Sequence, residues 1–222
     1  MDGREVKDRL YEAFARTAKA AASPRRIELL ELLAQGERTV ESLAQATGMG
    51  VTNTSAHLQV LARSCLVATR KDGTRIFYRL AGDDVAAFVV ALRDLARSRL
   101  PEVEQVVRDY FAARDALEPV RREELVARAE RGNVIILDVR PAQEFAAGHI
   151  PGALSVPLDE LDAALSRLPK RTEIVAYCRG PYCVLAPQAV ERLRAKGYQA
   201  RRLAGGLPEW RLAGLPIAAG QE

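Results

Sequence analysis

The chain has 222 residues and a mass of 24.3 kDa, which is enough for two domains of ordinary size. Hydrophobic residues make up 48% of it and charged residues 28%, a mixture that excludes extended disorder, collagen-like repeats and a disulfide scaffold. The net charge of +4 is too small to indicate a partner by itself.

Two features of the sequence predict where the protein works. No apolar run approaches the roughly 20 residues that cross a bilayer, and the opening MDGREVKDRL is too charged for a signal peptide. We therefore expect a cytoplasmic protein without membrane contact. In that compartment Cys65, Cys178 and Cys183 are expected to stay reduced, as packing residues or as reactive thiols.

The first half of the chain has the pattern of a helix-turn-helix. Apolar residues at helical spacing predict a first helix over residues 4–21. Ser23-Pro24 predicts the start of a second helix, because serine caps helices and proline suits their first turn. Two further helices, over residues 40–46 and 51–63, are separated by a short turn with two glycines.

A hairpin and a long helix are predicted next. The segments LVATR and RIFYRL alternate like strands on either side of Asp72-Gly73, which is a strong turn signal. A long helical stretch from Asp84 to Ala113 follows, and Pro101 should kink or divide it. Its apolar surface, together with the first helix, predicts a dimer interface; the alternative is packing within one chain.

The order of these elements resembles the ArsR family of winged-helix repressors over residues 5–112. The segments VTNTSAHLQVLARSCLV and KDGTRIFYRL carry the likeness, and residues 51–80 hold five basic side chains against Asp72. The resemblance implies a homodimer that lays two recognition helices into successive major grooves of operator DNA, about 34 Å apart.

Specific residues follow from this resemblance. Val51, Leu58 and Leu61 should face the core, which leaves polar side chains of the recognition helix for DNA: Thr52, Asn53, Ser55, His57 and Gln59. Wing cations should contact the phosphate backbone: Arg70, Lys71, Arg75 and Arg79. The alternative for each of these side chains is a solvated surface position.

Metal sensing, which is common among ArsR relatives, is not expected here. The third helix, ESLAQA, has no cysteine pair, and the long last helix has no histidine, so we predict neither a metal nor a cofactor. Cys65 stands where the family often has glycine. We predict that it is a small buried hydrophobic residue, the alternative being a redox-active thiol.

The second half of the chain has the pattern of an α/β domain. Residues 115–121 are the predicted linker, so that the domains span residues 1–114 and 122–222. Apolar strands VIILDV and EIVAYC alternate with predicted helices, which indicates a parallel sheet covered on both faces. Ligands bind at the carboxyl ends of such strands, and Cys178 stands at one of them.

Three motifs between Arg122 and Ala218 resemble a rhodanese domain: LDVRPAQEFAAGHIPGA, YCRGPYC and GGLPEWRLAGLP. The overall fold class is therefore a mainly α winged helix-turn-helix followed by an α/β rhodanese-like parallel sheet. The resemblance implies persulfide chemistry, in which a thiolate takes a sulfane sulfur from a donor and passes it to an acceptor. It also implies a structural ion pair among Asp138, Arg140 and Glu144, and a structural His149.

Cys178 is the predicted nucleophile. It ends a buried strand and precedes a helix, so backbone N–H groups and the helix dipole should stabilise its thiolate. Arg179 is expected to hold an anionic donor. Cys183 either resolves a Cys178 persulfide into a disulfide or sulfur-bridged link, or simply lines the loop. The remaining predicted loop residues are Gly180, Pro181, Tyr182 and Val184.

The loop also departs from the usual rhodanese pattern. Pro181 cannot donate an N–H, and Cys183 replaces a residue that is basic in many active rhodaneses, so thiosulfate turnover is expected to be slow. A related phosphatase would need an arginine where Val184 stands, which disfavours that activity.

These features predict a dimeric repressor that responds to reactive sulfur through a persulfide at Cys178. The expected partners are operator DNA, a second copy of the chain, and a small donor such as polysulfide, a low-molecular-weight persulfide or thiosulfate. One alternative is a sulfurtransferase that uses the winged helix for dimerisation or localisation. Another is an inert binding module, against which the intact Cys178 argues.

Overall fold

The computed structural model describes residues 2–112 and 118–220. Its contacts divide the chain into two compact units, residues 1–90 and 91–222. Part of the predicted linker, residues 115–117, lies outside the described residues, as does the predicted end of the long helix at Ala113. None of the helices described is long and apolar enough to span a membrane.

The first unit has the predicted helices. They are α1 (Gly3–Ala21), α2 (Pro24–Leu33), α3 (Val40–Thr47), α4 (Val51–Arg63) and the start of α5 (Asp83–Arg99). Thr39 caps α3 by accepting a hydrogen bond from the N–H of Ser42. Gly48 ends α3 in the left-handed conformation, with a φ of 65°, and this turn leads into α4.

The predicted wing is an antiparallel hairpin of β2 (Val67–Asp72) and β3 (Arg75–Leu80), closed by Gly73 and Thr74. A two-residue strand, β1 (Arg38–Thr39), pairs with the other edge of β3, giving the order β1-β3-β2. The sequence did not reveal β1 because two residues show no alternation. The winged helix-turn-helix is thereby confirmed.

The prediction that Val51 faces the core is wrong. Leu58 and Leu61 are fully buried, but Val51 is 49% exposed. Val51 is the first residue of α4, and Thr54 is buried one turn later instead. The hydroxyl of Thr54 donates a hydrogen bond to the carbonyl of Gly50 over 3.1 Å, which makes its burial acceptable.

The prediction that Cys65 is buried is also wrong. Cys65 is exposed, and its φ of 56° places it in the left-handed region, at the turn between α4 and β2. Glycine adopts that conformation without strain, which explains why the family often has glycine at this place.

The second unit begins with the end of α5. Pro101 divides the long helix, as predicted: α5 ends at Arg99, α6 spans Pro101–Val107, and a π-helical segment spans Arg108–Ala112. The remaining α-helices among the described residues are α7 (Arg122–Glu130), α8 (Ala142–Ala147), α9 (Leu161–Ala164), α10 (Leu185–Ala195) and α11 (Leu207–Leu212), and a 3-10 turn spans Leu165–Arg167.

A four-stranded parallel sheet organises this unit. Its strands are β4 (Val134–Asp138), β5 (Leu154–Ser155), β6 (Glu173–Cys178) and β7 (Ala200–Gly206), in the order β5-β4-β6-β7. Alternate residues of β6 enter two different cores. Ile174, Ala176 and Cys178 pack on one face and Val175 with Tyr177 on the other, so both faces are covered, as predicted.

Val120, within the predicted linker, extends the edge of this sheet. Its N–H donates to the carbonyl of Arg202 over 2.8 Å, and its carbonyl accepts from the N–H of Ala204 over 2.9 Å. The sequence did not predict α8, β5, β7 or α11, because these segments are short or are interrupted by glycine and proline.

Candidate functional site

The loop of residues 179–184 joins the end of β6 to the start of α10. The N–H of Cys183 donates to the carbonyl of Gly180 over 3.1 Å and closes a tight turn. The Cys178 sulfur lies 3.9 Å from the carbonyl oxygen of Gly180 and 3.7 Å from that of Cys183. Backbone groups of Gly180 and Ala186 act to lower the pKa of Cys178, and those of Arg179 and Leu185 act to lower the pKa of Cys183. The loop backbone therefore surrounds both sulfurs. We call residues 178–184 the thiol loop.

The two thiols differ in burial and in acidity. Cys178 is 1% exposed, whereas Cys183 is only partly buried. Burial raises the pKa of Cys178, and the hydrogen bond between the two sulfurs raises it further. The same hydrogen bond lowers the pKa of Cys183 to about 7. Cys183 is therefore the more acidic thiol of the pair.

The guanidinium of Arg179 is paired with the Glu144 carboxylate, although the sequence predicted that it binds an anionic donor. Its Nη2 lies 2.6 Å from one Glu144 oxygen, and its Nε lies 3.1 Å from the other. The Glu144 side chain is 1% exposed, so the guanidinium of Arg179 forms its ion pair with a buried carboxylate. Glu144 therefore pairs with Arg179, although the sequence grouped it with Asp138 and Arg140.

Asp138 and Arg140 form a fully buried ion pair behind the loop. The Nη2 of Arg140 lies 2.5 Å from Asp138 Oδ2 and also donates to the carbonyl of Gly148 over 2.8 Å. Tyr177 donates its hydroxyl to the same carboxylate over 2.5 Å, and burial raises the pKa of this tyrosine. The network fixes the strand that ends at Cys178.

His149 lies in the core beside this network. Its Nδ1 is 2.9 Å from the carbonyl of Phe145, and its ring stacks on the Phe145 ring at 3.7 Å. The side chain is fully buried, which suits a structural role.

A second ion pair at the thiol loop escaped the sequence analysis. Arg93 of α5 lies 2.5 Å from Glu209 of α11, and its guanidinium covers the ring of Tyr182 at 5.6 Å. The other oxygen of Glu209 accepts from the N–H of Gly206 over 2.8 Å. In the sequence, Glu209 was noticed only as part of the motif GGLPEW, and nothing there indicated that Arg93 is its partner.

Gly206 lies directly against the backbone of the thiol loop. A Cβ at this position would lie 2.4 Å from the nitrogen of Gly180 and 2.5 Å from the carbonyl oxygen of Cys178. No side chain fits there, so the end of β7 requires glycine where it meets the thiol loop.

An apolar cavity of about 420 Å³ adjoins the loop within the second unit. Tyr182 and Val184, which flank Cys183 in the sequence, form one wall. The other wall comes from α6 and the π-helical segment: Glu102, Val103, Val106, Val107, Tyr110 and Phe111. The ring of Phe111 meets that of Tyr182 edge to face, with centroids 6.5 Å apart.

In the first unit, most predicted DNA-contacting residues face solvent. On α4, Thr52, Asn53 and Gln59 are exposed, while Ser55 and His57 are partly buried.

The wing cations are all exposed: Arg70, Lys71, Arg75 and Arg79. Arg70 differs because it is paired with Glu37 at 2.6 Å and with Asp72 at 3.3 Å, and it also covers the Phe77 ring. Among the residues described, no group of three or more histidine, cysteine or acidic side chains is placed to hold a metal ion.

Comparisons with known proteins agree with this two-part architecture. Residues 23–69 match the family model described as bacterial regulatory protein, arsR family, and residues 121–213 match that of the rhodanese-like domain. The HTH-type transcriptional regulator Rv0324 of Mycobacterium tuberculosis is 46% identical over 214 residues, which cover 96% of this chain and 94% of that protein.

Two further proteins resemble single parts of the chain. A sulfurtransferase of Allochromatium vinosum is 36% identical over 41% of this chain and 84% of its own length. The NMR structure of a homodimeric winged helix-turn-helix domain, fragment 1–100 of Mb0332 from Mycobacterium bovis, is 46% identical, with a TM-score of 0.42. It covers 45% of this chain and 91% of that fragment. The chain belongs to the ArsR-family helix-turn-helix transcriptional regulators and carries a rhodanese-like domain in its C-terminal part.

Proposed function

We propose that this DNA-binding regulator is a dimeric repressor that responds to reactive sulfur by forming a persulfide at Cys178. The proposal rests on one chain that joins a winged helix to a loop in which the Cys178 sulfur lies 3.7 Å from the carbonyl oxygen of Cys183. Backbone groups that act to lower the pKa of both thiols would also favour an anionic persulfide. A coupling of about 1–3 kcal/mol between the thiols and DNA binding is enough for regulation.

The thiol pair supplies the chemistry. As Cys178 attacks the sulfane sulfur of a donor, its proton passes to the Cys183 thiolate. The donor's S–S bond breaks, its electron pair leaves with the donor fragment, and a Cys178 persulfide remains. Once Cys183 has lost this proton to solvent, its thiolate can attack the inner sulfur of the protonated persulfide, Cys178–S–SH, which forms a disulfide and expels hydrosulfide. Either product alters the packing of the thiol loop.

Dimer formation is supported by the surface of α1. Four large apolar side chains of this helix are at least 36% exposed: Val6, Leu10, Tyr11 and Phe14. An exposed apolar stripe of this size is typical of an interaction surface. We propose that a second copy of the chain covers it.

The test is a DNA-binding titration by fluorescence anisotropy, with DNA from upstream of the protein's own gene. We expect the affinity of the reduced protein to shift by about tenfold after polysulfide treatment, and the shift to vanish in Cys178→Ser. Cys65→Ser, in which an exposed thiol outside the loop is removed, is the matched control and should respond like the wild type. An unchanged response in Cys178→Ser would contradict the proposal.

A sulfurtransferase is the second candidate, favoured by the likeness to the Allochromatium vinosum enzyme. In that case steady-state sulfur transfer would be fast, and DNA affinity would be indifferent to polysulfide. Turnover and anisotropy measured on the same preparation separate the two functions.

A further inference from the structure

The thiol loop has little net positive charge. Arg179 is held by Glu144, whose carboxylate is buried, and Arg93 is held by Glu209. The side chains of Arg93 and Glu209 are 15% and 17% exposed, and that of Arg179 is 26% exposed. A dianion such as thiosulfate would approach two guanidinium groups whose charge is already balanced, so the loop gives it weak attraction.

The neighbouring cavity favours a different kind of ligand. Its walls are mainly valine and aromatic side chains, and its charged member, Glu102, would repel an anion. Because Tyr182 and Val184 lie on either side of Cys183, a group in this cavity is next to the thiols. The cavity is thus suited to an apolar organic substituent on a molecule whose sulfur reaches the loop.

We propose that the thiol loop takes sulfane sulfur from organic donors with an apolar substituent and at most one negative charge, in preference to thiosulfate. Glu144 sets this preference by holding Arg179, and the apolar cavity binds the substituent. The inference rests on the proposed function, because it presumes that Cys178 accepts sulfur.

The same bonds form and break with both classes of donor. With an organic thiosulfonate anion, the Cys178 sulfur attacks the terminal sulfur while its proton passes to Cys183, and a new S–S bond forms. The bond between that sulfur and the sulfonyl sulfur breaks, and the electron pair leaves with an organic sulfinate. With thiosulfate the same steps release sulfite. The two donors therefore differ in charge and substituent, while the persulfide product is the same.

The test compares benzenethiosulfonate with thiosulfate on the full-length reduced protein, without DNA. Mass spectrometry follows persulfide formation at Cys178, and each rate is divided by that of free cysteine with the same donor. We expect the normalised rate for benzenethiosulfonate to be larger by at least about tenfold. A normalised rate for thiosulfate that is equal or larger overturns the inference.

Two variants test whether Glu144 causes the preference for benzenethiosulfonate over thiosulfate. Glu144→Gln removes the carboxylate that balances the charge of Arg179, so the preference should fall by about fivefold or more, through faster thiosulfate reaction. Glu173→Gln is the matched control. It removes the same charge from the ion pair with Arg128, at the opposite end of β6 and about 16 Å along the strand from Cys178. Equal behaviour of the two variants overturns the role of Glu144.

Val106→Asn tests the cavity independently, because it adds a polar group without a charge that would repel both donor anions. Val106 is 64% exposed, so this change should not unfold the protein. It should slow benzenethiosulfonate and leave methanethiosulfonate, which has a much smaller substituent, unchanged. Equal effects on both donors overturn the role of the cavity, even if Glu144→Gln fails to fold. Failure of every donor to modify Cys178 overturns the proposed function itself, whereas a thiosulfate preference overturns this inference alone.

Discussion

The wing and the thiol loop differ in how their basic side chains are placed. The wing cations are exposed, whereas the arginines at the thiol loop are paired with carboxylates. Lys71 and Arg75 of the wing are exposed, in a surface suited to the phosphate backbone of DNA. At the thiol loop, Arg179 and Arg93 are each held by a carboxylate. Cations in one chain thus occur in two settings: some are exposed on the wing, and others are paired with a carboxylate beside the thiol loop.

The largest expected effect comes from Gly206→Ala, which removes the close fit of the thiol loop. A Cβ would collide with backbone atoms of Gly180 and Cys178, so the loop must shift. We expect a loss of about 1–3 kcal/mol in the free energy of unfolding and slow persulfide formation at Cys178. Thermal unfolding and mass spectrometry measure the two. Gly50→Ala, where a Cβ meets open space, is the control; equal effects of both changes would refute the close-fit explanation.

A smaller effect tests the unequal acidity of the thiols. Cys183 has its pKa lowered to about 7 by its hydrogen bond with Cys178, so its alkylation rate should rise as the pH increases through 7. In Cys178→Ala the hydrogen bond is lost, and the midpoint of the pH profile should move upward. Iodoacetamide labelling from pH 5 to 10 measures both profiles. A midpoint that stays near 7 in the variant would show that other groups acidify Cys183.

The smallest effect concerns Arg70, which is a wing cation and is nevertheless paired with carboxylates. Arg70 lies on the wing but is paired with Glu37 and Asp72, like the arginines at the thiol loop. Arg75→Ala should reduce the salt dependence of DNA binding by about one unit in the log–log slope, and Arg70→Ala by less. Anisotropy titrations at several salt concentrations measure the slopes. A larger change for Arg70→Ala would mean that its ion pairs open on DNA.

The sequence was most informative where the structure is local. The bounds of α4, the division of the long helix at Pro101 and the position of Cys178 at a strand end follow from spacing, proline geometry and an apolar run. Contacts between distant segments were not predictable in this way. Arg93 meets Glu209 across 116 positions, and Glu144 meets Arg179 across 35.

Two errors have a common origin. Val51 and Cys65 were both assigned to the interior, yet Val51 is the first residue of α4 and Cys65 lies two residues beyond its last. At helix ends the backbone, rather than the side chain, decides the position: Val51 begins the helix, and Cys65 takes the left-handed conformation of the turn. Residue type alone therefore predicts burial poorly at such places.

We propose that sulfur on Cys178 controls DNA binding. The most direct measurement titrates polysulfide into one mixture of protein and DNA, and determines the persulfide fraction at Cys178 and the DNA-bound fraction in the same samples. The account predicts that the two fractions change together, with an affinity shift of about tenfold at full modification. DNA binding that stays constant while Cys178 is fully persulfidated would contradict it.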